Sequence, residues 1–385
     1  MPNEYHVAMP YFSEDDIAWI QEKVGVVLRG KLSTGPFVKE FEEKFAQFVG
    51  TQYAVCLNTC SSALEIALKS VGLKEGDEVI VPGQTFIATG MSVTLNGGKV
   101  VFAEIDPQTF CLTLDEIKKR KTNKTKGVML VYFGGYMSPD TLAIQQYCRE
   151  NGLFLIEDAA HAHGSSIDGQ KAGAIGDAGC FSFFSTKIMT TGEGGMLTTN
   201  SKDIYEMARS LRERGTCIET KQEIYTFPWR SSRVPEITAV LGLSQLFHLN
   251  EWLEMRNKVA AIYNKAFEKS EDLHALPNPA NIYNAYWKHI AVIDNPAISR
   301  KDLAETLKAE YKININWAYE PALHLQPVYR KMYGINEGHL PVTEAVMKRH
   351  FHLPMHVGLT EDDARYIAKS VLEAVERVKN VCQQS

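Results

Sequence analysis

An α/β fold, with a large domain built on a mostly parallel mixed sheet between helices and a smaller C-terminal α+β domain, is predicted by three observations. Short apolar runs alternate with helical repeats between residues 53 and 199, which is the pattern of strands crossing over through helices. After Arg214-Gly215 the pattern changes to longer helices. With 385 residues, the chain is also too long for one ordinary core. The expected division is residues 1–250 and residues 251–385.

Taken in order, residues 15–28 place Ile17, Ile20, Val24 and Leu28 at helical spacing. Gly35-Pro36 reads as a turn before a second helix at 38–49, with Phe41, Phe45 and Phe48 on one face. An apolar strand at 53–57 precedes a helix at 61–73 that opens on small hydroxyl residues. Gly76-Asp77 turns the chain into a strand at 78–82, and further strands are expected at 100–104, 127–132 and 153–157, with helices such as 141–150 between them. Such alternation indicates a parallel sheet covered on both faces. Strands at 180–184 and 195–199 extend it on either side of a Thr-Gly-rich loop. Helices at 234–250 and 251–269 follow, then a linker-like stretch at 277–279, an apolar run at 287–293, and helices at 300–311 and 361–379.

Composition narrows the class of function. Hydrophobic residues make up 45% and charged residues 23%, as in a soluble globular protein. A net charge of −5 offers no broad attraction for nucleic acid or an anionic membrane. No apolar stretch approaches the ~20 residues that span a bilayer, and the polar N-terminus is unlike a signal peptide. The seven cysteines are odd in number and scattered, so neither a disulfide framework nor a zinc knuckle is indicated. A reducing cytoplasm fits, and no metal site is expected: His161-x-His163 lacks a third ligand nearby.

Four pieces of sequence carry chemistry. Asp158 ends a strand of a parallel sheet, where ligands bind, and a carboxylate there can keep the nitrogen of a pyridine ring protonated. Taken alone, it reads better as a helix N-cap. Lys187 follows an apolar strand and precedes Thr190-Thr191-Gly192-Glu193-Gly194-Gly195. A lone lysine is ordinarily a surface charge. One buried beside a cationic cofactor loses its proton, attacks an aldehyde and then shuttles a proton. Ser182 offers a hydroxyl to a phosphate oxygen. Cys60-Ser61, between a strand and a helix, sits where backbone amides bind phosphate. Phe86, just past another strand, can stack on a flat ring. The glycines at 192–195 do not match the dinucleotide fingerprint, and no P-loop occurs.

In this order the pieces resemble the DegT/DnrJ/EryC1/StrS family of sugar aminotransferases, within the fold type I pyridoxal-phosphate enzymes of the aspartate aminotransferase superfamily. The resemblance runs from Leu32-Ser33-Thr34-Gly35-Pro36 through Gly76-Asp77-Glu78, Thr85-Phe86, Glu157-Asp158-Ala159-Ala160-His161 and Ser182 to Lys187. It ends in Leu323-His324-Leu325-Gln326-Pro327 and Leu353-Pro354-Met355-His356. It implies pyridoxal 5'-phosphate as cofactor, Lys187 as its Schiff-base lysine and catalytic base, and Asp158 as partner of the ring nitrogen. Phe86 would stack on the ring, His161 would lie near the 3-hydroxyl, and Ser61, Ser182 and the Cys60 amide would hold the phosphate. Relatives in which His replaces the lysine are sugar dehydratases, so the retained Lys187 favours transamination.

The same resemblance implies a homodimer with shared active sites, glutamate as donor and a keto sugar as acceptor. A nucleotide-linked keto-deoxysugar bound for a surface polysaccharide is the leading acceptor. A small phosphorylated ketone, a non-nucleotide sugar or a keto-cyclitol is the alternative, and a pyridoxal-phosphate-binding regulator without turnover is a third reading. Ser231 stands where a neighbour's Asn usually reaches the phosphate, and it lacks the amide donor. Cys60 replaces the usual Gly. The segment 317–321 departs from the common His-Tyr-Pro, and the resemblance turns Tyr319 and His324 toward the substrate.

Overall fold

The computed structural model describes residues 4–217 and 224–384. Seven strands form the large sheet: β1 (Tyr53–Leu57), β2 (Glu78–Pro82), β3 (Lys99–Ala103), β4 (Thr125–Val131), β5 (Phe154–Asp158), β6 (Ala178–Ser182) and β7 (Gly195–Thr199). Their order is β1-β7-β6-β5-β4-β2-β3. The α-helices of the described residues are α1 (Glu14–Leu28), α2 (Pro36–Val49), α3 (Cys60–Ser70), α4 (Ile87–Leu95), α5 (Leu114–Arg120), α6 (Thr141–Glu150), α7 (Lys202–Arg212), α8 (Glu236–Phe267), α9 (Arg300–Thr306), α10 (Pro327–Tyr333), α11 (Pro341–Met347) and α12 (Glu361–Gln384). The block from β6 to β3 is parallel, and β7 runs antiparallel to both β1 and β6.

The strands are apolar on both faces because both are covered. Ala54, Cys56, Ile80, Val128, Leu130 and Leu155 face one core with helices α2 (Pro36–Val49) and α6 (Thr141–Glu150). Val55, Leu57, Val79, Val81, Met129 and Ile156 face the other, with α3 (Cys60–Ser70) and α7 (Lys202–Arg212). Period-two alternation along each strand thus feeds two separate cores, as a doubly covered sheet requires.

A second, smaller sheet is antiparallel: β8 (Leu273–Ala275), β9 (His289–Ile293) and β10 (His350–Leu353). It packs with α12 (Glu361–Gln384) around Ile290, Val292, Phe351, Ile367 and Val371. Phe133 and Tyr136, from just beyond β4, also enter this core. The smaller unit is therefore stitched to the larger one.

Three expectations change. The helices expected at 234–250 and 251–269 are one 32-residue helix, α8 (Glu236–Phe267), since neither Gly nor Pro interrupts the chain at Asn250-Glu251. Its first half, with Ala239 and Leu243, lies in the large core and its second, with Tyr263 and Phe267, in the small one. The chain thus passes between cores inside a helix, not at a linker. The strand expected at 180–184 ends at Ser182, after which Phe183 donates its amide to Gly194 and opens a loop. The linker-like stretch at 277–279 leads into Ile282–Tyr283, which pairs with Ser166–Ile167 of the large domain.

At the N-terminus of α8, the Glu236 carboxylate accepts the amides of Gly35, Phe37 and Val38 at 2.7, 2.8 and 3.0 Å, capping α2. Cys56, Cys60, Cys111, Cys148 and Cys180 are buried thiols, while the side chain of Cys382 lies outside the described residues. Among the described residues, no helix is long and apolar enough to cross a membrane, and no cluster of metal-ligating side chains occurs.

Candidate active site

The carboxyl ends of β5 and β6, the N-terminus of α3 and the loop before β7 converge on a cavity of about 390 Å³. Cys60, Ser61, Phe86, Asp158, His161, Ser182, Lys187 and Tyr319 all line it. Eight residues picked out from the sequence are thus brought together by the ends of parallel strands, where β-to-α loops meet.

Asp158 is the last residue of β5 and its carboxylate is buried. Oδ2 accepts the Thr89 hydroxyl at 2.6 Å, Oδ1 accepts the Ala160 amide at 3.2 Å, and Thr85 lies 2.6 Å from Thr89. Burial pushes the Asp158 pKa up, while the Thr89 hydroxyl, the Ala160 amide and the charge of Lys187 pull it back. The preceding residue, Glu157, faces away from the cavity. Its carboxylate accepts amides of Gly173, Ile175 and Gly176 and the Tyr132 hydroxyl, and so braces the strand end from behind.

Lys187 sits on a loop tied at its base. The Lys187 amide bonds to Phe184 O, the Thr191 amide to Phe183 O, and the Thr190 hydroxyl to Phe183 O. Burial pulls its ammonium down to about 8, with the Cys60 thiol and Asp158 opposing that shift. The neutral amine is therefore far more accessible near neutral pH than for an ordinary lysine, although the ammonium still predominates. The amine has no hydrogen-bonded acceptor among the described residues.

The opposite end of the cavity is a helix N-terminus. Thr59 caps α3 through the Ser62 amide at 3.1 Å, leaving the first amides of the helix, at Cys60 and Ser61, without carbonyls of their own turn. The Ser61 hydroxyl also has no partner among the described residues. Gly195, at the start of β7, lets the chain approach closely: a Cβ there would lie 2.3 Å from Thr59 C and 2.5 Å from Cys60 N.

His161 is buried, and burial with the charge of Lys187 holds it far below the ordinary imidazole range, so it is neutral. Its Nδ1 accepts the Gly134 amide at 3.3 Å, which assigns the proton to Nε2, and Nε2 then donates to the Tyr319 hydroxyl at 3.1 Å. The Tyr319 hydroxyl hydrogen is left to bond elsewhere. Phe86, 52% exposed, stands 5.7 Å from the Tyr319 ring.

Two sequence-derived candidates lie outside this cavity. His324 is wholly buried below Gly83, with Nε2 held by Glu344 at 2.9 Å, so it supports the fold around Leu323 and does not reach the ligand space. Ser231 is exposed, accepts Arg233 Nε at 3.2 Å, and does not line the cavity of its own chain. Conversely, Trp287 lines the cavity without having been picked out. It opened an apolar run, and strand periodicity gives no sign that a side chain there reaches another domain's loop.

The arrangement fits pyridoxal phosphate. It offers a carboxylate at one end, unpartnered amides and the Ser61 hydroxyl at the other, a neutralisable amine on the wall and an exposed aromatic face. Residues 14–372 match the DegT/DnrJ/EryC1/StrS aminotransferase family. The chain is 32% identical to the spore coat polysaccharide biosynthesis protein SpsC of Bacillus subtilis, over 96% of each. It is 35% identical to GDP-perosamine synthase of Caulobacter vibrioides, over 86% of this chain and 88% of the relative. Among solved structures, the aminotransferase TlmJ of Streptoalloteichus hindustanus superposes with a TM-score of 0.88 at 30% identity, covering 97% of this chain and 99% of TlmJ. DesI in the presence of its TDP-sugar product superposes with a TM-score of 0.89 at 28% identity, over 100% and 96%. Spr1654 of Streptococcus pneumoniae, in its PMP-form, superposes with a TM-score of 0.90 at 26% identity, covering 99% of this chain and 100% of Spr1654.

Proposed function

This chain belongs to the DegT/DnrJ/EryC1/StrS aminotransferase family, whose members depend on pyridoxal phosphate, and from that we propose that it moves the amino group of glutamate to a nucleotide-linked keto-deoxysugar. The observation that carries this reading is the meeting of Lys187 and Asp158 in one cavity with an anion-binding helix end.

When bound, pyridoxal phosphate supplies an aldehyde carbon to carry the amino group and a ring that takes up an electron pair. The chain does the rest. The Asp158 carboxylate, steadied by Thr89, holds a proton at the ring nitrogen. The amides of α3 with Ser61 and Ser182 would hold the phosphate, and Phe86 would cover the ring. Lys187, as neutral amine, would take the proton from the donor's α-carbon and hand it on to the carbon across the transferred nitrogen. In the second half-reaction it runs these transfers in reverse on the acceptor. Tyr319, its oxygen already accepting from His161, directs its own proton at an oxygen of the ligand.

The nucleotide-linked acceptor is supported by relatives named for such chemistry. Besides GDP-perosamine synthases, they include a dTDP-4-dehydro-2,3,6-trideoxy-D-glucose 4-aminotransferase of Saccharopolyspora spinosa, 30% identical over 90% of this chain. A second copy of the chain is part of this reading. Ser231 is exposed and away from its own cavity, which leaves it free to serve a neighbour's site in a cytoplasmic homodimer, as this reading has it. The test is a panel of keto-sugar nucleotides and small phosphorylated ketones, each added to protein pre-aminated with glutamate. Fastest return of the visible cofactor spectrum with a keto-sugar nucleotide is expected. A response confined to small ketones would overturn the nucleotide assignment, and no bleaching by glutamate would overturn the donor.

A further inference from the structure

Trp287 touches the catalytic loop in two ways. Its indole N–H donates to the Thr186 carbonyl at 2.7 Å, fixing the peptide immediately before Lys187. Its ring lies under the Lys187 ammonium, 4.3 Å from nitrogen to centroid. His161 stacks on the same indole at 3.7 Å and 17°, which leaves no room for an ammonium between the two rings and holds the indole in place. The ring is 7% exposed, and a desolvated aromatic face attracts a cation more strongly than one in water.

The other groups around Lys187 do not hold its nitrogen. Asp158 and Cys60 act on it through space, and His161 and His163 are neutral under burial. Lys288, 4.9 Å from the same indole centroid, is tethered to the Val7 carbonyl at 3.2 Å. Since Lys187 Nζ has neither a hydrogen-bonded acceptor nor a salt bridge among the described residues, the indole face is what receives it.

We infer that Trp287 is a positioning residue for Lys187, anchoring its backbone and docking its ammonium on the indole whenever the amine is not bonded to cofactor. The inference rests on Lys187 being the proton carrier of the proposed function. During turnover the free amine takes one proton from the donor's α-carbon, becomes an ammonium, and later gives that proton up. The indole favours the charged form between the two transfers and keeps the nitrogen on the cavity wall. Burial favours the neutral form, so the two effects oppose each other and hold the proton in a transferable state.

Reductive methylation of the full chain without cofactor, using carbon-13 formaldehyde, reads the docking directly. The Lys187 methyl signal, assigned by its loss in Lys187→Arg, should be displaced upfield by the indole ring current and return to the ordinary lysine position in Trp287→Leu. A Lys187 signal at the ordinary position in the unsubstituted protein overturns the inference. Uptake of pyridoxal phosphate followed by absorbance against pH supplies a second measure. The midpoint should fall by roughly half a unit to one unit in Trp287→Leu and by less in Trp287→Phe, which keeps a weaker ring. An unchanged midpoint in a Trp287→Leu protein of native circular dichroism would also overturn it. The methyl signal needs neither cofactor nor turnover, so this inference and the transaminase reading fail separately.

Discussion

Thr89 Oγ1 stands 2.6 Å from Asp158 Oδ2, on the carboxylate that closes one end of the cavity. A hydroxyl at that distance stabilises the anion against the burial that would otherwise protonate it. Thr89→Val should therefore weaken the hold on the ring nitrogen and slow both half-reactions about tenfold, the equivalent of one pKa unit. Asp158→Asn removes the charge itself and should cost roughly a hundredfold or more. Rapid-scanning absorbance of each half-reaction measures both, and near-normal rates in Asp158→Asn would remove the ring-nitrogen contact from the mechanism.

Lys187→Ala should leave the fold intact, since the side chain projects into a cavity and makes no hydrogen bond among the described residues. Turnover should fall by roughly a thousandfold or more. Mass spectrometry after borohydride reduction should find the cofactor covalently attached to the parent protein and absent from the variant. Retained attachment would name a different lysine.

Gly195→Ala tests the anion-binding end without touching any ligand-facing group. The added methyl would meet the Thr59 carbonyl carbon at 2.3 Å and the Cys60 nitrogen at 2.5 Å, so β7 and the start of α3 must separate. Affinity for pyridoxal phosphate should drop at least roughly tenfold, as expected when one charge-assisted hydrogen bond is lost. Equilibrium titration of the cofactor-free protein measures it.

Acid stability is predicted to depend on Asp16. Burial alone would raise its pKa, but the Ser13 hydroxyl and amide, Ser244 and His248 bring it down to about 2, against a reference value of 3.8. A carboxyl depressed in the folded state contributes stability above its unfolded pKa. That contribution is lost as pH falls through the folded value. Asp16→Asn should thus cost ~1–3 kcal/mol at pH 7, with the gap to the parent closing between about pH 4 and pH 2. Urea midpoints at several pH values measure this, and a pH-independent gap would assign the loss to packing.

Much of the fold was legible because β1, β2, β7 and α6 are bounded by strong local signals, and residues 53–57, 78–82, 195–199 and 141–150 fall where periodicity and turns put them. The core of the site was equally legible. Asp158, Ser182 and Lys187 come from consecutive strand ends of one sheet, so chain order and spatial order coincide. Trp287 was not, because it reaches the loop from beside the second sheet, and no local pattern encodes that return. His324 misled for the complementary reason. Its motif is real, but the ring turns inward to Glu344, an orientation set by packing under Gly83. The unity of α8 was hidden because the polar pair Asn250-Glu251 looks like a boundary until two cores are seen to share the helix.

That shared helix has a mechanical consequence. At about 1.5 Å per residue, α8 is a rod ~48 Å long with one end in each core. A rod cannot fold like a hinge without breaking its own i→i−4 hydrogen bonds, so the two halves of the molecule are coupled against opening like a clamshell. Access to the cavity then depends on the rotation of side chains that line it, among them the exposed rings of Phe86 and Phe184.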